Sequence, residues 1–375
     1  METYLGESMP KLGFGLMRLP MNGTAIDLEE TKRRVDLFLS AGCRYFDTAW
    51  GYNAGDSERA AKAALVDRYP RESFSLATKL PAWMAKNRAD AEQMFDTSLE
   101  RTGAGYFDFY LLHNLGGKRV NVFEEYDLWS FVRKKKEAGL IRHLGFSFHD
   151  TADVLDRVLT AHPEAEFVQL QINYADWESE RIQSRACYET ARKHGKPVII
   201  MEPVKGGSLS ALPPEAAAPL RAVHPDASFS SWALRFAASL PGLITVLSGM
   251  SNLEQMRDNL ATFTDFRPLD EAERAAIGET QRYLASVPTI PCTGCDYCAE
   301  GCPQNVAISG AFTAYNLFKV YQNITAAKGS YSFPIEKCGL SRAGECIGCG
   351  ACEAVCPQQI SIIEELKKAS AVLDH

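Results

Sequence analysis

Residues 292–303 read CTGCDYCAEGCP, and residues 346–357 read CIGCGACEAVCP. Each copy spaces four cysteines by two, two and three residues and sets a proline after the last. Gaps this short force the backbone to wind round a point where the thiols converge, which leaves few folds open to this end of the chain. Nine of the 11 cysteines lie beyond residue 290, whereas Cys43 and Cys187 stand alone upstream. Cys338 falls outside both copies and reads as a spare thiol. The first residues, METYLGESMP, lack a basic stretch followed by an apolar one, so no export signal is expected. No apolar run approaches the roughly 20 residues that span a bilayer, so no membrane partner is expected. The expected setting is the cytoplasm, where thiols stay reduced. Tightly clustered thiols there point to metal rather than to disulfides.

Each copy resembles the bacterial ferredoxin run for a [4Fe-4S] cluster, in which the fourth cysteine ligates the other cluster. The resemblance implies two clusters. Cys292, Cys295, Cys298 and Cys356 would hold one; Cys346, Cys349, Cys352 and Cys302 would hold the other. Small residues in the gaps (Gly294, Gly348, Gly350, Ala351) let backbone amides approach the sulfurs. Zinc is the rival, because paired C-x2-C also suits a tetrahedral site. Eight cysteines without histidine, each set of four followed by proline, weigh against it. About 40 residues separate the copies, and GAFTAYNLFKVYQNITAAKG between them reads as a helix, as does IEELKKASAVL at the end. This resembles the helical ferredoxin type rather than the compact β-rich one.

The first ~285 residues follow a different rule, with short apolar runs alternating with longer amphipathic ones, the pattern of repeated βα units. We read eight strands: 13–17, 45–48, 74–79, 107–113, 143–148, 167–173, 197–201 and 244–248. Helical stretches separate them, among them Leu28 to Leu39, Asp90 to Arg101 and Ala152 to Thr160. METYLGESMPKLGFG reads as a hairpin ahead of the first strand. Eight units in about 280 residues match a (β/α)8 TIM barrel. The rival open sheet would carry a GxGxxG turn after its first strand, and none is present. A helix from about Glu271 to Ala285 is followed by Val287-Pro288-Thr289-Ile290-Pro291, a stiff linker. The expected architecture is therefore a TIM barrel over residues 1–285 and a small, mainly helical ferredoxin-like domain over 286–375.

The net charge of -7 gives no electrostatic reason to expect nucleic acid. The basic tract Arg133-Lys134-Lys135-Lys136 reads as a solvated helix end.

In a TIM barrel the working residues gather at the carboxyl ends of strands. Strand two ends FDTAWGY, with Asp47 and Tyr52; strand three ends ATKL, with Lys79; strand four ends LLHN, with His113. A free tyrosine is too weak an acid for easy work at neutral pH, but a neighbouring ammonium favours phenolate. Asp47 would hold Lys79 charged, and His113 would bond a substrate oxygen. Such a site delivers a proton to an oxygen that is gaining negative charge.

FDTAWGYN, ATKL and YLLHN resemble the tetrad segments of the aldo/keto reductase family, and the resemblance covers residues 1 to about 285, strand order included. It implies Tyr52 as general acid, Lys79 and Asp47 as its tuning pair and His113 as the orienting group. It implies hydride transfer between a nicotinamide and a small carbonyl or alcohol substrate, with NADP(H) extended across the barrel mouth and NAD(H) as the alternative. GFSFHD resembles the segment whose serine, here Ser147, holds the carboxamide; the asparagine often next to it is Phe148 here. Gln169 fits the other carboxamide contact, and Met201 falls where the family stacks a tyrosine. LSGMSNLEQMRDN resembles the stretch that holds the adenosine phosphate, which implies roles for Gly249, Ser251, Asn252, Gln255 and Asn259. Asn252 stands where many members carry a basic residue, with Arg257 nearby. Trp50, Tyr52, Trp83 and Phe148 are candidates for an aromatic pocket, and Arg18 for an anion contact or a structural ion pair.

Hydride chemistry needs no cluster, and a flavin site to convert paired into single electrons is not visible in the sequence. Three readings follow. The chain is a carbonyl reductase carrying its clusters as a structural or docking module. Or the clusters pass electrons between a ferredoxin-like redox partner and the barrel. Or the barrel is a non-catalytic redox-sensing module, against which the intact tetrad weighs.

Overall fold

The computed structural model describes residues 3–5, 7–117, 119–264 and 266–375. Eight parallel strands close into one barrel in chain order. They are β1 (Leu12–Gly15), β2 (Tyr45–Asp47), β3 (Ser75–Leu80), β4 (Phe107–Leu115), β5 (Ile141–Phe148), β6 (Phe167–Gln171), β7 (Val198–Met201) and β8 (Leu243–Ser248). Each lies within a few residues of the stretch its apolar run predicts. Ahead of β1, Thr3–Tyr4 pairs antiparallel with Glu7–Ser8; Met1, Glu2 and Gly6 of the expected hairpin lie outside the described residues. A second small antiparallel pair, Met21–Asn22 with Ala25–Ile26, follows β1.

Alternation along the strands sorts the side chains into two cores. Tyr45, Ala77, Phe109, Leu111, Phe167 and Ile199 pack together inside the barrel. Phe46, Leu76, Tyr110, Leu112, Phe146, Val168 and Ile200, one residue out of step, join the larger core beneath the helices. Gly145 has no side chain because none fits: a Cβ there would lie 2.5 Å from the Phe167 carbonyl oxygen.

Helix ends follow local chemistry. Asp27 accepts from the Glu30 amide at 3.0 Å and starts Leu28–Ser40. Asn87 does the same for Arg88–Thr102, which Gly103 ends at φ 61°. Lys134, Lys135 and Lys136 fall in the last turn of Leu128–Glu137, as the basic tract suggests.

The chain forms two compact units. One comprises the residues up to Val204 with Ser230–Leu269; the other comprises Lys205–Phe229 with Asp270–His375. The second unit thus reaches back into the stretch between β7 and β8. Within it, the Pro214–Val223 helix packs on Glu271–Ser286, and the Lys205–Ser210 turn packs on the helices Ile308–Tyr321 and Ile324–Cys338. Its core includes Val306, Ile308, Phe312, Tyr331, Ile362 and Leu366. The expected single helix between the cysteine runs is two, because Gln322 turns left-handed (φ 52°) and Asn323 caps a new start by accepting from the Ala326 amide. The terminal helix is Ile362–Leu373. No helix among the described residues is long and apolar enough to cross a membrane.

Candidate functional site

Strand parity places the tetrad. Tyr45 and Asp47 share the inward face of β2, Ala77 and Lys79 that of β3, and Leu111 and His113 that of β4. Asp47, Lys79 and His113 are therefore the inward residues nearest the carboxyl rim of their strands. Tyr52 comes from the turn after β2. That turn is held by three consecutive left-handed residues, Asn53 (φ 49°), Ala54 (φ 55°) and Gly55 (φ 95°).

Lys79 is wholly buried. Its Nζ donates to Asp47 Oδ1 at 2.5 Å, to the Thr48 carbonyl at 2.8 Å and to the Tyr52 hydroxyl at 3.4 Å. Burial opposes its charge, but the Asp47 carboxylate and Tyr52 outweigh it, and the pKa of Lys79 rises above the ordinary lysine value. For Tyr52 the balance differs from the sequence expectation. Lys79 favours the phenolate, yet burial outweighs it and raises the phenol's pKa. His113 meets Tyr52 edge-on at 5.9 Å and Trp83 at 5.2 Å between ring centroids. Its pKa lies well below the usual imidazole value, through burial first and then through Lys79, His149 and Arg119, so the ring is neutral. The site holds a phenolic proton beside a buried cation and a neutral imidazole, the equipment to protonate a carbonyl oxygen.

Ser147 and Gln169 face inward on β5 and β6 and are opposed in register. Ser147 Oγ accepts from the Asn114 amide at 2.7 Å, which leaves its own proton to donate. The Gln169 amide donates to Asp47 Oδ2 at 3.1 Å, tying it to the tetrad. Met201 ends β7, half-buried. After β8, Asn252 Oδ1 accepts from the Gln255 amide at 2.8 Å, and Gln255 Oε1 accepts from the Ser251 amide at 2.7 Å. Asn259 donates to Ser248 Oγ at 2.7 Å, and Gly249 lies under the Arg18 stem. Gly249, Ser251, Asn252 and Gln255 therefore sit together at the start of the Leu253–Thr264 helix, where Asn252 acts as the cap, and Asn259 lies further along it. A hydroxyl and an amide at the inner rim and a helix start with Arg257 in its first turns fit an extended dinucleotide.

Phe148 faces outward, one residue out of step with Ser147, and packs with Phe146 at 6.3 Å. It is a core residue rather than a wall of the inner mouth. Trp50 lies under the Arg101 guanidinium at 4.5 Å, and Arg101 pairs with Glu58 at 3.4 Å. Two rim groups escaped the sequence reading. His149 directly follows β5, and Arg119 opens the Arg119–Glu125 helix after β4. His149 carries the signal of directly following a strand end, whereas Arg119 lies four residues beyond β4 and carries none.

In the second unit, one cavity of about 360 Å³ is lined by Cys292, Cys295, Cys298 and Cys356. Another of about 330 Å³ is lined by Cys302, Cys346, Cys349 and Cys352. The crossed grouping is the one the doubled run implies. Ile308 borders both cavities, and the Val306 amide donates to Cys302 Sγ at 3.4 Å. No group of three or more His, Cys, Asp or Glu among the described residues is gathered closely enough for a single metal ion. Four thiols round an apolar cavity, with an amide on one sulfur at one of the two, fit a [4Fe-4S] cube.

The model of the aldo/keto reductase family matches residues 11–282. The chain belongs to the aldo/keto reductase family. A 4Fe-4S dicluster domain matches residues 291–361 of this family member. Among curated aldo-keto reductases, it is 33% identical to one from Mycobacterium sp. (strain KMS) over 143 residues, 38% of this chain and 47% of that protein. It is 30% identical to one from Mycobacterium avium (strain 104) over 203 residues, 52% of this chain and 65% of that protein. The chain thus spans about half the length of the first of these. Its fold is shared with aldo-keto reductase AKR11C1 from Bacillus halodurans (holo form), at TM-score 0.56 and 23% identity, covering 73% of this chain and 93% of that one. It is shared also with an aldo-keto reductase from Klebsiella pneumoniae in complex with NADPH, at TM-score 0.55 and 20% identity, covering 72% and 90%.

Proposed function

We propose that this aldo/keto reductase family member interconverts a small carbonyl compound and its alcohol, using NADP(H) or NAD(H). The carrying observation is Lys79, buried and bonded to both Asp47 and Tyr52. A reduced nicotinamide supplies the hydride when bound. Ser147, Gln169 and Met201 hold and orient its carboxamide end; Gly249, Ser251, Asn252, Gln255 and Asn259 hold the adenosine end. Tyr52 gives its proton to the carbonyl oxygen, and takes one from the alcohol in reverse. Lys79 steadies the phenolate that Tyr52 becomes, Asp47 keeps Lys79 charged, and neutral His113 positions the substrate oxygen. Replacing Tyr52 by Phe abolishes carbonyl reduction while nucleotide binding persists. Unchanged turnover in that variant would overturn the reading.

The functional division lies at 285/286, with two [4Fe-4S] clusters beyond it. Cys292, Cys295, Cys298 and Cys356 hold one, and Cys302, Cys346, Cys349 and Cys352 the other. Such clusters exchange single electrons. Exposure of Cys295 and Cys349, with Tyr297, Ile347 and Val355 also exposed, favours exchange with a redox protein partner over a purely structural role. The test is to reduce the clusters without oxygen, remove the reductant and add NADP⁺. Formation of NADPH as the reduced-cluster EPR signal fades supports a relay. Bound NADP⁺ with neither change leaves a structural or docking module.

A further inference from the structure

A chain of contacts leads outward from the proposed proton donor. Tyr52 meets His113 at 5.9 Å, His113 meets Trp83 at 5.2 Å, and the Arg119 guanidinium lies 4.9 Å from the centre of the Trp83 ring. Trp83 is half-buried and Arg119 exposed. Arg119 has no carboxylate partner among the described residues. Arg71, Arg101 and Arg142, by contrast, each bond an acidic side chain.

The backbone that carries Arg119 is held in place. Gly116 (φ 155°) and Gly117 (φ 50°) make a turn that a side chain would strain, and a Cβ on Gly116 would lie 2.9 Å from the His149 carbonyl oxygen. The Gly117 amide donates to the Asp150 carboxylate, and the Arg119 amide donates to the Gly116 carbonyl at 3.0 Å. Asp150, the nearest acid in sequence to His149, is therefore committed to backbone amides, its other oxygen accepting from Thr151 at 2.7 Å. Lys79 and His149 add positive and polar character on the same side. Of the acids felt by Tyr52, Asp47 is bonded to Lys79, and the weaker one, Glu202, follows β7, three strands round the closed barrel from β4.

We propose that Arg119 selects substrates in which an anionic group, a carboxylate or its equivalent, is separated by an apolar or aromatic spacer from the reacting carbonyl. The spacer lies along Trp83, the carbonyl reaches Tyr52 and His113, and the anion pairs with Arg119. The inference rests on the carbonyl-reductase reading and names its substrate class. Arg119 acts on binding and orientation and takes no part in proton transfer.

The test compares reduction of benzaldehyde and of 4-carboxybenzaldehyde by the cluster-loaded full chain, as wild type and as Arg119→Gln and Arg119→Lys. Arg119→Gln should lower kcat/KM for the carboxylated aldehyde by about 10- to 100-fold, the size expected of one charged hydrogen-bonded contact, and leave benzaldehyde nearly unchanged. Lysine should restore part of the difference, and added salt should narrow the preference. A merely structural role would lower both aldehydes together. Equal use of both by wild type, with no effect of Arg119→Gln on their ratio, overturns the inference and leaves the proposed function standing. Calorimetric titration of the NADP⁺ complex with 4-carboxybenzyl alcohol separates the two failures. Arg119-dependent binding without turnover of any aldehyde sinks the proposed function and keeps the anion site; absence of both sinks both.

Discussion

Lys79 Nζ lies 2.5 Å from Asp47 Oδ1, and neither side chain is more than 4% exposed. The pair is a buried charge balanced by one partner. Asp47→Asn should leave the ammonium stranded and cost about 3–5 kcal/mol of stability. The double variant Asp47→Asn/Lys79→Met, which removes the charge as well, should recover much of that loss while remaining inactive. Urea unfolding followed by tryptophan fluorescence checks this. All five tryptophans (Trp50, Trp83, Trp129, Trp177, Trp232) lie in the barrel unit, so the signal reports that unit. A double variant no more stable than Asp47→Asn would contradict it.

The pH profile should lack a histidine step. His113 is held neutral well below the usual imidazole range, and Tyr52 keeps its proton to above the ordinary phenol value. The expected profile of kcat/KM for carbonyl reduction is level from about pH 6 to 9 and falls only beyond about 10, where the phenol loses its proton. An inflection near 6.5 that vanishes in His113→Gln would assign His113 a charged role instead.

Tyr110 is fully buried, and its hydroxyl has no hydrogen-bond partner among the described residues. Burial pushes its pKa well up. Tyr110→Phe deletes an unsatisfied polar group without opening a cavity. It should raise stability by about 1 kcal/mol, read as a higher urea midpoint with an unchanged slope. A loss of stability would mean that the hydroxyl is satisfied in solution.

Glu166 links the end of one helix to β5. Its carboxylate accepts from Lys136 and from the Leu144 amide at 2.8 Å, and His143 lies 3.7 Å away. Burial alone would raise its pKa, but the nearby His143 and the hydrogen bonds from Lys136 and the Leu144 amide outweigh it and lower the value from 4.5 to about 2. A lowered carboxylate pKa stabilises the fold above the unfolded value, and the gain is lost as pH falls from 4.5 towards about 2. Glu166→Gln should be less stable at neutral pH, and its stability should fall less steeply through that window. Denaturation midpoints at several acid pH values decide it.

Crossed ligation predicts which cysteine variants resemble one another. Cys298→Ser and Cys356→Ser should disturb one cluster, and Cys302→Ser and Cys349→Ser the other. Each variant should retain about four of about eight irons, with EPR spectra matching in pairs across the two sequence copies. Spectra that pair within each copy would reverse the assignment.

Periodicity made most of the barrel legible. Asp47, Lys79 and His113 are readable as polar strand ends, and strand alternation carries them to one inward rim; Ser147 and Gln169 share that face but are singled out only by the family resemblance. Phe148 follows Ser147 by an odd step and therefore belongs to the outer core. What the sequence hid is aperiodic or remote. The left-handed run from Asn53 to Gly55 that sets Tyr52 leaves only a glycine as its trace. Arg119 opens a short helix, Arg119–Glu125, whose residues match no pattern in the sequence. The break at Gln322 interrupts an apolar run that reads as one helix, because capping by Asn323 outweighs continued helix propensity.

The stretch Lys205–Phe229, which belongs to the cluster-bearing unit although β8 comes after it, bears on how the two halves of the gene can be handled. A ribosome releases this segment well before the helices that cover its Lys205–Ser210 turn, so the segment must wait for Ile308–Cys338 to find its neighbours. Stopping translation at residue 285 would leave that turn without them. A graft of the cluster-bearing unit onto another protein should therefore carry this interior segment with it.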